Sequence, residues 1–582
     1  MVRARAPDAN ARSVAISAAA VVAAAVVAAP FAGGCVDCID CIGFTGVADG
    51  QAPRNVEVSR DVRMESEIIR FLTLRVRAGV GTPPLAMNRD TGEFPAMPFP
   101  RAAGVLLHPS SLPGTGGIGD LGPDAHRFVD WLGEAGFRIW QMLPLGPTGY
   151  GDSPYQCFSA FAGNPLLIHI PEWHGAFPVH TVDFTAVAAA KRRALASWLD
   201  TQPYDTAVDE FVHAQRQWLP DYALFMAIKR AHGDTPWTSW DASLALRDEP
   251  TLARWRERLA DDITRTYKEQ YVFHRQYSAL RTACREKGIA LMGDVPIYVA
   301  HDSADVWTHR DLFALHPDGT LRVQAGVPPD YFSETGQLWG NPLYDWPRMQ
   351  ERGFAWWIER LRAALSQFDL VRLDHFRGFE AYWEVPGDAL TAIHGRWCAG
   401  PGSALFDALE AALGALPIVA EDLGVITPEV EALRDRFDFP GMSILQFAFA
   451  DPSSDFLPHR LVRNRVVYTG THDNDTTLGW WNTIGAGDST RSADEVARER
   501  AFAMRYLDCD GTAMHWTLMR AALASVANTA LVPMQDVLGL GSEARMNLPG
   551  RQSGNWGFRF SWDQITPATT SRLRELVETY GR

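Results

Sequence analysis

Three short apolar runs that each end in a carboxylate constrain the fold of this chain most. They lead into Asp374, Glu421 and Asp473, which are spaced 421 − 374 = 47 and 473 − 421 = 52 residues apart. Each interval can hold a return helix and a further strand–helix unit of a parallel sheet. The sequence therefore predicts an α/β protein, a (β/α)8 barrel, whose strand ends bring all three acidic side chains to one face.

The first run places an arginine beside its acid. Arg372 and Asp374 are two residues apart after apolar residues, so on a strand their side chains point the same way. The guanidinium charge lowers the pKa of the carboxyl and keeps it ionised, as a carboxylate nucleophile requires. An isolated pair of this kind is more often a structural ion pair, and the two further acidic runs favour the catalytic interpretation.

The second and third runs end in polar clusters. Glu421 leaves an apolar run for a loop that Gly424 ends, and partial desolvation there would raise its pKa and keep it protonated as a general acid. The run that starts at Arg465 ends in His472 and Asp473. The structural alternatives are a turn or helix cap at Glu421 and an Asx-rich turn at Asp473.

Several longer motifs occur along the chain in the order in which one known family has them. They are GVLLHPSSLP at 104–113, MLPLGPTGYGDSPY at 142–155, GDVPIYV at 293–299, GVPPDYFS at 326–333 and GQLWGNP at 336–342. With VRLDHFRG at 371–378, they make the chain resemble the 4-alpha-glucanotransferases of glycoside hydrolase family 77, in the alpha-amylase clan. The resemblance runs from about Arg101 to near the C-terminus.

The resemblance implies a retaining transfer of α-1,4-glucan segments. Asp374 would attack the anomeric carbon, and Glu421 would protonate the departing oxygen and then activate the 4-hydroxyl of an acceptor. Asp473, with His472, would hydrogen bond the scissile sugar, and Arg372 would orient Asp374. No cofactor and no metal are expected.

Further substrate contacts are implied by the same resemblance. Flat rings for glucose and hydrogen-bonding groups for its hydroxyls are expected from Tyr155, Trp339, Ser153, Gln337 and Asn547. The resemblance also implies substrate contacts by His375, Asp294 and Tyr150. His375 could instead brace Asp374, and Asp294 could instead stabilise a turn before Pro296. Core or loop packing is the alternative for Tyr150 and for the five residues above.

The expected organisation is one catalytic barrel over 98–582. Its strands are predicted near 103–108, 138–144, 289–295, 369–374, 416–421, 442–447, 465–471 and 530–536. A mostly helical subdomain is expected at 150–285 on the catalytic face. Proline and glycine punctuation at 322–346 predicts an active-site loop over the substrate groove.

Residues 1–97 are predicted to be a poorly ordered N-terminal extension, a targeting segment or a mis-assigned start. Arginines precede an Ala/Val run at 14–29, as in a signal or transit peptide. Cys35, Cys38 and Cys41 lack a fourth ligand for a metal site. The other four cysteines are scattered and imply no disulfide framework, so we expect a cytoplasmic enzyme, with a signal or transit peptide as the alternative.

Composition limits the partners. The net charge of −15 and the lack of a basic stripe argue against nucleic acid, and no membrane partner is expected. The expected partners are an α-1,4-glucan donor and a glucose or malto-oligosaccharide acceptor, bound by a monomer or weak oligomer. Two alternatives remain: an α-glucan hydrolase, and a non-catalytic glucan-binding barrel, which would lack the nucleophile or acid that this sequence keeps.

Overall fold

The computed structural model describes residues 99, 101–329, 334–485, 491–551 and 553–582. The predicted N-terminal extension at 1–97, with its three clustered cysteines, lies outside the described residues. Cys157, Cys284, Cys398 and Cys509 carry free thiols. None of the described helices combines the length and the hydropathy that a membrane span requires.

The described strands, labelled β1 to β12 in chain order, form two sheets. They are β1 Ala102–Leu106, β2 Ile139–Gln141, β3 Ala290–Val295, β4 Val323–Val327, β5 Gln337–Pro342, β6 Leu370–Leu373, β7 Ala381–Pro386, β8 Arg396–Ala399, β9 Ile418–Ala420, β10 Gly441–Ile444, β11 Arg465–Tyr468 and β12 Thr529–Pro533.

The larger sheet is an eight-stranded parallel barrel. Its order is β10-β11-β12-β1-β2-β3-β6-β9, and every neighbouring pair is parallel. The Ala420 N–H donates to the Pro440 carbonyl (2.9 Å) and so brings the two outer strands together. The predicted barrel is confirmed, and each predicted strand overlaps an observed one.

The barrel interior explains why these short runs form strands. Inward-facing Ile139, Met292, Val419 and Leu531 pack in one buried cluster with side chains from the other strands. Gly104 permits close strand packing, since an added Cβ would lie 2.4 Å from the Ile139 carbonyl oxygen. Runs buried on both faces read as continuous apolar segments, which is the pattern that the sequence shows.

Six α-helices lie between β2 and β3, and they are Phe184–Asp200, Thr206–Ala214, Leu219–Ala231, Ala242–Ala245, Glu249–Arg258 and Ala260–Glu286. Aspartates cap three of them: Asp183, Asp205 and Asp248 accept hydrogen bonds from first-turn N–H groups. The helical part of the predicted 150–285 insertion therefore begins at Phe184, and residues before it form turns and short 3-10 segments.

The remaining helices lie between the other strands or follow β12. They are Pro123–Ala135, Ala304–Thr308, Trp346–Glu351, Ala355–Gln367, Ser403–Leu413, Pro428–Arg436, Thr477–Asn482, Ala493–Leu507, Met514–Ala524, Met534–Leu538 and Pro567–Thr579. Proline in the first turn pre-sets the backbone of several of them, including Pro123–Ala135 and Pro428–Arg436.

The smaller sheet is antiparallel, in the order β5-β4-β7-β8. It corrects the prediction of a loop at 322–346, because β4 and β5 make a hairpin there. Gly326 lets the strands approach, since an added Cβ would lie 2.4 Å from the Gln337 carbonyl oxygen, and Gly336 takes a φ of +67°. Residues 330–333 of this segment lie outside the described residues. We call these four strands the accessory sheet.

Candidate active site

The three predicted carboxylates follow the carboxyl ends of barrel strands. Asp374 comes directly after β6, Glu421 directly after β9, and Asp473 five residues after β11 ends. The Asp374 N–H donates to the Val295 carbonyl (3.0 Å), and the Glu421 N–H donates to the Leu373 carbonyl (3.1 Å). Neighbouring strand ends thus hold the backbone on which Asp374 and Glu421 sit.

Arg372 is clamped between two carboxylates. Its Nη1 lies 2.8 Å from Asp374 Oδ1, and 2.9 and 2.8 Å from the two oxygens of Asp294. Burial on its own would lower the pKa of Arg372, but the paired Asp294 and Asp374 raise it well above its usual range. The guanidinium is therefore permanently charged and fixes the Asp374 carboxylate, whose side chain stays 27% exposed.

Asp294 does not reach the substrate side of the site. Its side chain has 0% exposure, and its oxygens are taken by Arg372 and by the Tyr155 hydroxyl, which donates to Oδ2 at 2.8 Å. This burial favours the structural alternative for Asp294 over a direct substrate contact. The residue lies within β3 and points into the barrel, where it is the inner partner of Arg372.

Removal of Asp294 should therefore destabilise the fold more than removal of Asp374. In Asp294→Ala, Arg372 keeps Asp374 but loses its two buried contacts, and a buried charge left short of partners costs about 3 kcal/mol or more. In Asp374→Ala, Arg372 keeps both contacts with Asp294. Urea unfolding of the two variants measures the difference, and equal unfolding midpoints would contradict the buried role of Asp294.

Glu421 is held by backbone donors on both sides. Its Oε2 accepts the N–H of His375 (2.8 Å), and its Oε1 accepts the N–H of Leu423 (3.0 Å). Burial raises the pKa of Glu421 to about 8, against the charge of Arg372 and with support from Asp374. Near neutral pH this carboxyl therefore carries a proton, while it remains partly accessible to solvent.

His375 links the two carboxylates. It has a left-handed backbone (φ 49°, ψ 50°), which directs its N–H to Glu421 immediately after Asp374. Burial lowers the pKa of His375 to about 4, so the ring is neutral at pH 7. Its ring meets the edge of Trp339 with centroids 4.8 Å apart.

Asp473 forms the other side of the site. Its Oδ1 accepts from Asn547 Nδ2 (2.6 Å) and lies 3.4 Å from His472 Nε2, while its side chain is 45% exposed. Tyr155 stacks on His472, with centroids 5.2 Å apart and planes 14° apart. Since the Tyr155 hydroxyl also reaches Asp294, this one side chain connects the two sides of the site.

The remaining predicted residues lie at the rim. Gln337 and Trp339 are on β5 of the accessory sheet, and Trp339 Nε1 donates to Gln337 Oε1 (3.3 Å). Ser153 Oγ accepts the N–H of Tyr155 (3.2 Å) and supports its turn. Tyr150 is 70% exposed, three residues before Ser153.

Two aromatic residues near the site were not predicted. Trp556 lies 5.8 Å from Tyr155 and 6.1 Å from His472 between ring centroids. His108 follows β1 and is buried, and burial lowers its pKa to about 3. His108 belongs to the HPSSLP motif and could have been singled out there, whereas Trp556 stands in a glycine-rich stretch with no pattern of its own.

A barrel with an arginine-anchored carboxylate, a protonated glutamic acid and a third carboxylate at its strand ends can break and form glycosidic bonds. The fold and the site therefore define a glycoside-processing enzyme of the (β/α)8 type.

Comparison with protein families identifies the family of glycoside-processing enzymes to which the chain belongs. The model of the 4-alpha-glucanotransferase family, glycoside hydrolase family 77, matches residues 107–566. The chain belongs to this family, and it is a transferase that acts on glucans.

Individual relatives agree with this assignment. A 4-alpha-glucanotransferase of Thermus thermophilus is 49% identical over 510 residues, which cover 84% of this chain and 100% of the relative. A chloroplastic/amyloplastic 4-alpha-glucanotransferase of Solanum tuberosum is 42% identical over 516 residues, covering 83% of this chain and 86% of the relative. Among solved structures, an amylomaltase from Streptococcus agalactiae in complex with acarbose superposes with a TM-score of 0.79 at 37% identity, covering 83% of this chain and 99% of the other.

Proposed function

We propose that the enzyme transfers α-1,4-linked glucan segments from a malto-oligosaccharide or starch-type donor to the 4-hydroxyl of an acceptor glucan or glucose. The transfer is a retaining double displacement with a covalent glucosyl-enzyme intermediate. The observation that carries this proposal is the hydrogen bond from the N–H of His375 to Glu421, because it joins the acid to the residue directly after Asp374. The attacking carboxylate and the acid thus stand on adjacent strand ends, β6 and β9, within one hydrogen bond of each other along the chain.

In the first step Asp374 attacks the anomeric carbon of the donor. The bond between this carbon and the glycosidic oxygen breaks, and Glu421 gives its proton to that oxygen, so the leaving glucan departs with a free 4-hydroxyl. Arg372, with its Nη1 2.8 Å from Asp374 Oδ1, holds the Asp374 carboxylate in place for this attack. The product is an ester between Asp374 and the glucosyl unit, with Glu421 now deprotonated.

In the second step the glucosyl ester is opened by an acceptor. Glu421 takes the proton from the acceptor 4-hydroxyl, whose oxygen attacks the anomeric carbon, and the Asp374 carboxylate leaves. The new bond has the original α configuration, and both carboxyl groups return to their starting protonation states. Attack by water in place of the sugar gives hydrolysis as a minor side reaction.

Asp473 and Tyr155 hold the sugar ring. Asp473 is oriented by Asn547 and is 45% exposed, so it can accept hydrogen bonds from ring hydroxyls. Tyr155 and His472, stacked on each other, provide ring surface beside it. Hydrogen bonds to hydroxyls that strengthen in the oxocarbenium-like transition state lower the barrier further.

The accessory sheet favours transfer over hydrolysis. Trp339 on β5 packs edge-on against His375 and so brings an aromatic side chain of this sheet to the two carboxylates. An acceptor sugar bound beside the ester has a high effective concentration, and a cover that excludes water reduces the competing reaction.

Trp339→Ala should lower transfer more than hydrolysis. Loss of an aromatic contact to an acceptor sugar is worth about 1 kcal/mol, so we expect the ratio of transfer to hydrolysis to fall by roughly fivefold. Trp397→Ala, on β8 of the same sheet, is the matched control and should leave the ratio unchanged. The ratio is measured as longer oligomers formed per reducing end released, and equal losses of both reactions would contradict the acceptor role.

Pure maltotriose tests the proposed function itself. Transfer gives glucose and longer oligomers at a constant number of reducing ends, because each bond broken is replaced by one formed. A hydrolase would raise the reducing-end count with every cleavage, and a non-catalytic glucan-binding barrel would leave maltotriose intact. Product chromatography with a reducing-sugar count separates the three outcomes.

A further inference from the structure

The barrel is joined least tightly between β9 and β10. These strands stand at the two ends of the hydrogen-bonded order, and among the described residues no paired ladder connects them. The Ala420 N–H to Pro440 carbonyl bond spans the gap. Because Glu421 directly follows β9, the placement of the acid depends on how this junction is held.

Asp422 holds the junction with its side chain. Its Oδ1 accepts the N–H of Met442 on β10 (2.7 Å). Its Oδ2 lies 2.5 Å from Arg434, on the helix between the two strands, and 2.5 Å from Arg465, the first residue of β11. The side chain is 2% exposed, so one carboxylate ties the end of β9 to three other elements away from solvent.

The backbone of β10 is shaped around this carboxylate. A Cβ added to Gly441 would lie 1.9 Å from Arg465 Nη1 and 2.2 Å from Asp422 Oδ2. A side chain at this position would have to displace the Arg465 guanidinium or the Asp422 carboxylate, so glycine keeps the two charged groups in contact.

We propose that Asp422 is a positioning residue for the transfer reaction: it replaces the missing ladder between β9 and β10 and so fixes the main chain that carries and hydrogen bonds Glu421. Asp422 lies in the buried junction with 2% of its side chain exposed, whereas the neighbouring Glu421 remains partly accessible to solvent. The Leu423 N–H, on the other side of Asp422, donates to Glu421 Oε1 (3.0 Å), so both flanks of the anchored residue serve the acid. The inference rests on the proposed function, in which Glu421 is the acid and base.

Loss of the Asp422 charge should also shift the pH profile of the reaction, which loss of a purely structural contact would not do. Burial is the main cause of the raised pKa of Glu421, Arg372 opposes it, and Asp374 and Asp422 add to it. Without the Asp422 charge, the two arginines at the junction lose their shared counter-ion, and Glu421 should lose its proton more easily. The alkaline limb of the pH profile should then move to lower pH.

The test is Asp422→Asn, assayed with maltotriose over a pH series below the unfolding temperature of each variant. We expect kcat to fall about tenfold, with KM within twofold of the wild-type value, and the alkaline limb to move to lower pH. Asp435→Asn is the matched control, because Asp435 pairs with the same Arg434 (2.7 Å) but is 64% exposed. Its replacement should change neither kcat nor the alkaline limb.

An unchanged kcat or an unmoved alkaline limb in folded Asp422→Asn would overturn the inference. Should that variant not fold, Arg465→Gln is the substitute, because it keeps the hydrogen bond from the Met442 N–H to Asp422 and removes a cation. Its kcat should fall, and the alkaline limb of its pH profile should move to higher pH. No change in either quantity would overturn the inference. Wild-type enzyme runs in the same series. An inactive wild type would refute the proposed function, whereas an active wild type with unaffected variants would refute only the role of Asp422.

Discussion

Asp374→Ala should abolish conversion of maltotriose, with a loss on the order of 10⁴-fold or more in kcat, while the protein stays folded. The loss is large because no other carboxylate can form the glucosyl ester, so both steps disappear. The fold is kept because Arg372 retains its two contacts with buried Asp294. Glucose release measures the activity, and circular dichroism with an unfolding curve verifies the fold.

Asp407→Ala is the control for this variant. Asp407 is also an aspartate paired with an arginine, Arg436 at 2.9 Å, but it is 48% exposed on the helix Ser403–Leu413. It should retain full activity. An Asp374→Ala protein that still produced longer oligomers at a tenth of the wild-type rate would show that the nucleophile lies elsewhere.

Glu421→Gln should reduce kcat by about 10²- to 10⁴-fold, the usual worth of general acid–base catalysis. The wild-type enzyme requires protonated Glu421 for the first step, and burial raises the pKa of this group to about 8. Activity in kcat/KM should therefore fall as the pH rises through about 8. In Glu421→Gln this alkaline limb should be absent, since glutamine has no proton to lose.

A donor that needs no protonation separates the acid from the nucleophile. With α-maltosyl fluoride, fluoride leaves without help from an acid, so Glu421→Gln should regain its first step and accumulate the glycosyl ester, because the second step still lacks its base. Intact-mass measurement of the quenched protein should show this adduct, and the same treatment of Asp374→Ala should show none. An alkaline limb that persisted in Glu421→Gln would assign it to another group.

The barrel strands and the carboxylates at their ends could be predicted from the sequence because both leave local patterns. Strands buried on both faces read as short apolar runs, and an acid such as Glu421 that directly follows one must emerge at the strand end. The side chains of Arg372 and Asp374 point to the same side, as their spacing predicts, and they are in contact.

The accessory sheet could not be predicted in this way. Strands β7 and β8 have mixed burial without clean alternation. Strand β7 pairs with β4, in a segment that turn and glycine signals had suggested to be a loop, and β8 pairs with β7. Asp294 shows a different limit. Its sequence context is that of an exposed strand end, and only the contact with Arg372, 78 residues away, reveals that it is covered. Trp556 likewise lies at the site through a tertiary contact with Tyr155, which the residues around it in the sequence do not predict.

The left-handed turn at His375 has a mechanical consequence. Because of this turn, one hydrogen bond links the end of β6 to the carboxyl of Glu421, which follows β9. A thermal displacement of one strand end should therefore move the other with it. The relative position of Asp374 and Glu421 is then kept when the surrounding loops change conformation. Substitutions that stiffen those loops should therefore leave the rate of the chemical step unchanged.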